Sequence, residues 1–234
     1  MKLISILFVF FSLPAMAHNA LVYGGPGACE DGCVDAAVEI TRLAGLDPLV
    51  VTHETFDPEQ LKSAKVWVQP GGQSSEAAKA MGFTMMEEIK AFIANGGGYV
   101  GFCAGAFLTT NIIGTTQNRG LGIIPGHTIM FANSPVHISI QPMLKDGVKR
   151  FMYWEEGPYF SLTADELKQV KVTWKYINGD LISGIDTTYG KGRVSVTGVH
   201  PEAPEWWSVS SDVIDEDGLD HDIAAGMVKW AANI

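Results

Sequence analysis

Hydrophobic positions along this chain show two textures, and the boundary between them lies near Thr128. Before it, short apolar runs alternate with stretches of helical period. Ala20 to Tyr23 reads as a buried strand followed by the turn Gly24-Gly25-Pro26-Gly27. A helix is predicted from about Asp31 to Ala44, with Val34, Ala37, Val38 and Thr41 on one face. Leu49 to Thr52 is a second strand, Asp57-Pro58 starts a turn or short helix, and Val66 to Gln69 is a third strand ending in Pro70-Gly71-Gly72. Met85, Ile89, Phe92 and Ile93 recur at helical spacing until Gly96-Gly97-Gly98, glycines of the kind that cap helix C-termini. Tyr99 to Phe102 is then a buried strand running directly into Cys103. Strands alternating with helices imply an α/β protein with a mainly parallel sheet covered on both faces, and sites at the carboxyl ends of its strands.

Beyond Thr128 the pattern shifts to short alternating strands: His137 to Gln141, Lys149 to Tyr153, Val170 to Tyr176, Leu181 to Thr187 and Arg193 to Thr197. These read as antiparallel additions to the same sheet or as a packed side layer. Leu219 to Ala232 closes the chain as an amphipathic helix. With no repeat, low-complexity run or linker, residues 18–234 read as a single domain.

The first seventeen residues read differently. Lys2 is a short positive region, Leu3 to Leu13 is apolar apart from two serines, and Pro14 precedes Ala15-Met16-Ala17, the small-x-small pattern of a signal-peptidase site. A stretch of about eleven apolar residues is too short for a membrane span, which needs roughly twenty. The expectation is a signal peptide over 1–17, cleaved after Ala17, and a periplasmic or secreted mature chain. The formal net charge of −10 becomes −11 without Lys2. That balance excludes non-specific nucleic-acid binding, which needs a basic footprint, and disfavours an anionic membrane surface. Export also puts the three cysteines where disulfides persist. Cys29 and Cys33 are near enough to pair if the backbone allows, with two buried thiols as the alternative; pairing would leave Cys103 as the odd cysteine.

Gly101-Phe102-Cys103-Ala104-Gly105 fits a nucleophile elbow, a sharp strand-to-helix turn that lifts one side chain above the sheet. Glycines two before and two after the nucleophile let backbone segments approach closely, and a helix N-terminus favours an anion. Val199-His200-Pro201-Glu202 follows a predicted strand, so Glu202 can orient the imidazole of His200 that deprotonates the thiol. Backbone N–H groups of Gly71 and Gly72 can lie opposite that of Ala104 and form an oxyanion hole.

Together the three elements resemble the class I glutamine amidotransferase-like superfamily, and within it the family named after the N-terminal part of biotin-protein ligases. Tyr23-Gly24-Gly25-Pro26-Gly27, Gln69-Pro70-Gly71-Gly72, the run Gly96 to Gly105, and Glu156-Gly157-Pro158-Tyr159-Phe160 carry the resemblance. It implies a flavodoxin-like three-layer sandwich, with Cys103 as nucleophile, His200 as base and Glu202 as its orienter. Glutaminases of this class carry Gln or His where Phe107 stands here, and a phenyl ring cannot make those hydrogen bonds. With export, this argues against glutamine chemistry and against a synthase partner. No room remains for a ligase catalytic domain either.

Other features are weaker. Tyr153, Trp154, Glu155 and Glu156 can wall a pocket over Cys103, with Phe107 as a further substrate-binding candidate, or form a packed surface loop; Pro204-Glu205-Trp206-Trp207 can form a second wall or pack in the core or at an edge. Asp215 to Asp220 has the look of a calcium loop. However, aligning Gly218 with the EF-hand glycine puts Val213 first and Ala224 last, and helix-capping acids account for it better. His53, His127, His137 and His221 have no metal-ligand spacing. The resulting expectation is a cysteine-dependent hydrolase for a small amide, γ-glutamyl-like or peptide substrate, with no metal or cofactor. The alternative is a small-molecule-binding or redox-sensing module that retains the triad.

Overall fold

The computed structural model describes residues 18–131, 137–177, 180–210, 212 and 214–234; the expected signal segment lies outside them. Four short strands build the first half of the sheet. They are β1 (Ala20–Tyr23), β2 (Pro48–Val51), β3 (Val66–Gln69) and β4 (Gly98–Phe102). With β11 (Gly192–Thr197) they form a parallel array in the order β2-β1-β3-β4-β11. This is the flavodoxin-like order, and both faces of it are covered by helices.

Alternation along each strand sorts side chains to the two faces. Ala20, Val22, Val66, Val68, Val100 and Phe102 pack with α1 (Cys33–Leu43) and α6 (His221–Ala232). Leu21, Tyr23, Trp67 and Tyr99 pack on the opposite side with Met85, Ile89 and Ile93 of α2 (Ser74–Ala94). Transfer of each such large side chain from water contributes about 1.5–3 kcal/mol. The α2 segment is interrupted at Gly82, whose φ of 64° and ψ of 178° break the helical path. Within the described residues, no helix is long and apolar enough to cross a membrane.

The second half extends the same sheet. Strands β6 (Ile138–Lys145), β7 (Val148–Glu155), β9 (Lys171–Tyr176) and β10 (Leu181–Tyr189) continue it in the order β11-β10-β9-β6-β7, all antiparallel. Of the two arrangements open from sequence, the additions therefore join the main sheet. Two strands absent from the sequence reading, β5 (His127–Met130) and β8 (Pro158–Ser161), pair with each other, and β8 also touches β10. Short helices α3 (Ala104–Phe107), α4 (Ala164–Leu167) and α5 (Glu205–Ser210) complete the chain. Parallel neighbours β3, β4 and β11 end side by side, with Gln69 beside Gly101 and Phe102 beside Thr197. The three loops read as chemically interesting therefore leave the sheet at one place.

Candidate active site

Cys103 stands between β4 and α3 with φ 47° and ψ −101°, a conformation L-residues adopt at a cost of about 1–3 kcal/mol. The surrounding backbone explains both flanking glycines. A Cβ on Gly101 would lie 2.6 Å from the Gly105 carbonyl oxygen, and one on Gly105 would lie 2.4 Å from that of Gln69. Tyr99 fixes the turn from below by donating its hydroxyl to Gly105 O at 2.8 Å. The Cys103 N–H is bound to Thr197 O at 2.9 Å, so the elbow is also tied to the strand that delivers the histidine.

His200 and Glu202 follow β11. Glu202 Oε1 lies 2.8 Å from His200 Nδ1, and both side chains are buried, at 4 % and 0 % residue exposure. That contact leaves Nε2 for the sulfur, which lies near enough to help raise the His200 pKa. Burial alone pushes the imidazolium down. The charges of Glu202 and Cys103, and hydrogen bonds to both, outweigh it and hold the His200 pKa well above the ordinary histidine value. The second Glu202 oxygen, Oε2, has no hydrogen-bond partner among the described residues, so Glu202 depends on the imidazole to offset a buried charge. Tyr153 and Trp207 close on the ring edge-on, their centroids 5.8 and 5.4 Å from that of His200.

Gly71 meets the same group, and Gly72 meets the loop before α1. A Cβ on Gly71 would stand 2.6 Å from His200 Cε1, so glycine is what lets this loop touch the imidazole. Gly72, at φ 130°, forms an antiparallel bridge with Ala28. The flanking bonds run from Cys29 N to Gly71 O and from Gln73 N to Gly27 O, which keeps the Gly72 N–H out of that pair. The structure joins Cys29 to Cys33, with their Cα atoms 5.5 Å apart. The bridge packs beside Trp207, Tyr153 and Ala203, so the disulfide borders the site.

Comparison with known proteins agrees with this geometry. Residues 18–133 match the family model described as biotin-protein ligase, N terminal. The biotin–protein ligase of Schizosaccharomyces pombe is 24 % identical over 229 residues, covering 85 % of this chain and 35 % of the relative. The pyridoxal 5'-phosphate synthase subunit PdxT of Koribacter versatilis is 30 % identical over 93 residues, 40 % of this chain and 46 % of that protein. A glutamine amidotransferase from Thermotoga maritima superposes with a TM-score of 0.56 at 11 % identity, covering 94 % of this chain and all of its own. The chain belongs to the class I glutamine amidotransferase-like superfamily. It spans between a third and a half of the length of the curated relatives it matches.

This glutamine amidotransferase-like site is covered. Cys103 is 6 % exposed, and its thiol donates to the Glu155 carbonyl oxygen at 3.4 Å. Gly157 presses the covering segment onto the residue that follows β11, since a Cβ there would lie 1.7 Å from Gly198 O.

The predicted wall residues divide accordingly. Tyr153 faces His200, and Glu155 covers the sulfur with its backbone while its side chain is exposed. Trp154 does not face the site. It points to the opposite side of β7, packs edge-on against Phe131 and donates to Gly157 O, because neighbouring strand residues alternate between faces. Glu156 turns outward to His137. Phe107 also departs from expectation. The single turn of α3 buries it in the α2-side core with Leu108 and Ile113.

Trp207, read in sequence as part of a second wall or as core or edge packing, touches the histidine, and its Nε1 donates to Asp31 O at 3.0 Å. A cavity of about 350 Å³ lies elsewhere, beneath α6, among Lys145, Trp174, Asp186, Ser195 and Trp230.

Proposed function

We propose that this chain is a thiol hydrolase that cleaves a small amide or γ-glutamyl-like bond outside the cytoplasm. The observation that carries the reading is the buried line from Cys103 through His200 to Glu202, with the sulfur on a strained elbow. The Cys103 sulfur attacks the carbonyl carbon, and His200 holds the proton taken from the thiol. The Gly72 and Ala104 N–H groups face the oxygen that becomes negative, an interaction on the order of 3 kcal/mol per donor. As the C–N bond breaks, His200 gives its proton to the departing nitrogen and a thioester remains. Water then adds to the thioester carbon while His200 takes a proton from it. The C–S bond breaks and the sulfur takes that proton back. Glu202 fixes the ring through Nδ1 and favours its protonated form throughout.

Alkylation tests this. Iodoacetamide should label Cys103 quickly near neutral pH, and His200→Asn, which can still hydrogen-bond Glu202, should slow labelling by about 100-fold or more. A γ-glutamyl anilide should be hydrolysed by the wild type and not by Cys103→Ala. Equal labelling rates in wild type and His200→Asn overturn the activated-thiol reading.

One observation favours a second reading, a binding or redox-sensing module that retains the triad: the sulfur is covered by the Glu155 carbonyl. In that case a small ligand raises the melting temperature of wild type and Cys103→Ala equally, and nothing is consumed.

A further inference from the structure

The acidic segment before α6 was expected to cap that helix, and it does not. Asp220 occupies the N-cap position, but its side chain makes no capping hydrogen bond. The residue is nevertheless buried, at 6 % exposure, and no hydrogen bond reaches its carboxylate among the described residues. A buried carboxylate without a donor is costly unless something else satisfies it. What surrounds it is more negative charge. One carboxylate oxygen from each of Asp215, Asp217 and Asp220 lies within 4.8 Å of the others. Burial and the charges of Asp217 and Asp215 push the Asp220 carboxyl up to about 7. The single cation recorded there, Arg150, approaches only Asp217, at 3.8 Å, and forms no hydrogen bond to Asp220.

We propose that Asp215, Asp217 and Asp220 form a binding site for a calcium-sized divalent cation. Calcium–oxygen bonds run from about 2.3 to 2.6 Å, so two oxygens on opposite sides of one ion stand roughly 5 Å apart. The spacing of the three oxygens, within 4.8 Å of one another, is of that size. An all-oxygen set suits a hard cation with loose geometry better than magnesium, which demands a near-ideal octahedron. The cluster is also anchored. Asp217 accepts the Phe151 N–H of β7 at 3.2 Å, and Asp215 accepts the Asp217 N–H at 3.3 Å. A bound cation would fasten the segment between α5 and α6 onto the edge strand β7, independently of any chemistry at Cys103.

The test is a melting curve on the purified chain after EDTA treatment, with and without about 10 mM CaCl2, beside isothermal titration with Ca2+. Three-carboxylate loops of extracellular modules bind with Kd on the order of 10⁻⁴ M. At about 100-fold excess over Kd the melting temperature should rise by roughly 5 °C or more, with one ion per chain. MgCl2 should give a smaller rise. Asp220→Asn should invert the response. The metal-free variant should melt higher than the metal-free wild type, because an unpartnered buried charge is gone, and the calcium-dependent rise should vanish. Asp217→Asn, which keeps an acceptor for Phe151, should lose the rise with little change in the metal-free melt. A wild type indifferent to calcium, or an undiminished rise in both variants, overturns the proposal.

Discussion

The two halves of the sheet treat the same sulfur in different ways. In the parallel half, β3, β4 and β11 end together and supply the glycine loop, the elbow and the histidine, each held by backbone geometry that tolerates no added Cβ. In the antiparallel half, the turn between β7 and β8 comes back over the elbow and lays the Glu155 carbonyl on the thiol. One half brings Cys103 and His200 together, and the other covers the sulfur. Sites at strand ends inherit their precision from the strand register, whereas a covering turn is held by fewer contacts and is free to vary. The difference is therefore also one of expected robustness.

The largest effect should come from breaking the cover. Gly157→Ala puts a methyl group 1.7 Å from Gly198 O, which cannot be accommodated without lifting the covering segment. Cys103 should then be alkylated about tenfold faster or more, while overpacking costs roughly 1–3 kcal/mol of stability. Mass spectrometry of the alkylated peptide against time, beside a denaturant melt, measures both. A folded variant labelled at the wild-type rate would show that the turn does not limit access.

The same division explains what could be read from the sequence. The parallel half was legible because its signals are local: apolar strands, helical periods and glycines at fixed offsets. β1 and β3 begin and end where the pattern placed them. Cys103, His200 and Glu202 were nameable because elbow and His-Pro-Glu are short motifs at strand ends, and the strand order then made them neighbours. The cover was not legible. Its decisive atom is a backbone carbonyl, which leaves no residue signature. Whether Tyr153 or Trp154 faces the site depends on the register between β6 and β7, which one residue of slip would reverse. β5 and β8 are four-residue strands that pair mainly with each other across thirty residues of chain, so neither has a local pattern to announce it. Asp220 has the residue type of an N-cap, and the missing capping bond depends on its side-chain rotamer, which no sequence pattern records.

A smaller effect should follow from loosening the parallel half at its rim. The disulfide closes only a few residues, so removing it as Cys29→Ser with Cys33→Ser should cost about 2 kcal/mol by loop entropy. Two backbone hydrogen bonds still hold the adjoining loop to Gly71 and Gln73, at 3.1 and 2.7 Å. The labelling rate of Cys103 should therefore change by less than roughly threefold. A much larger change would move the disulfide from the border of the site into its working geometry, and would erase the contrast between a firm parallel half and a yielding cover.

The subtlest test reads the charge of His200 itself. Its pKa in the folded chain is raised, because the charges and hydrogen bonds of Glu202 and Cys103 outweigh burial. The folded state thus binds a proton that the unfolded chain releases near the ordinary histidine value of about 6.5. That contribution to stability is complete below about pH 6.5 and is lost as pH rises through the folded value, with a slope of at most about 1.4 kcal/mol per pH unit. Asp220, pushed up to about 7, loses a contribution of the same sign in an overlapping window, so the wild-type curve alone mixes the two. Subtracting the curve of His200→Asn isolates the imidazole, since Asp220 is common to both. The stability advantage of wild type over the variant, measured by urea melts from pH 6 to 9, should shrink as pH rises. A difference independent of pH would mean that His200 is neutral in the resting fold, and the parallel half would then hold its triad by packing rather than by charge.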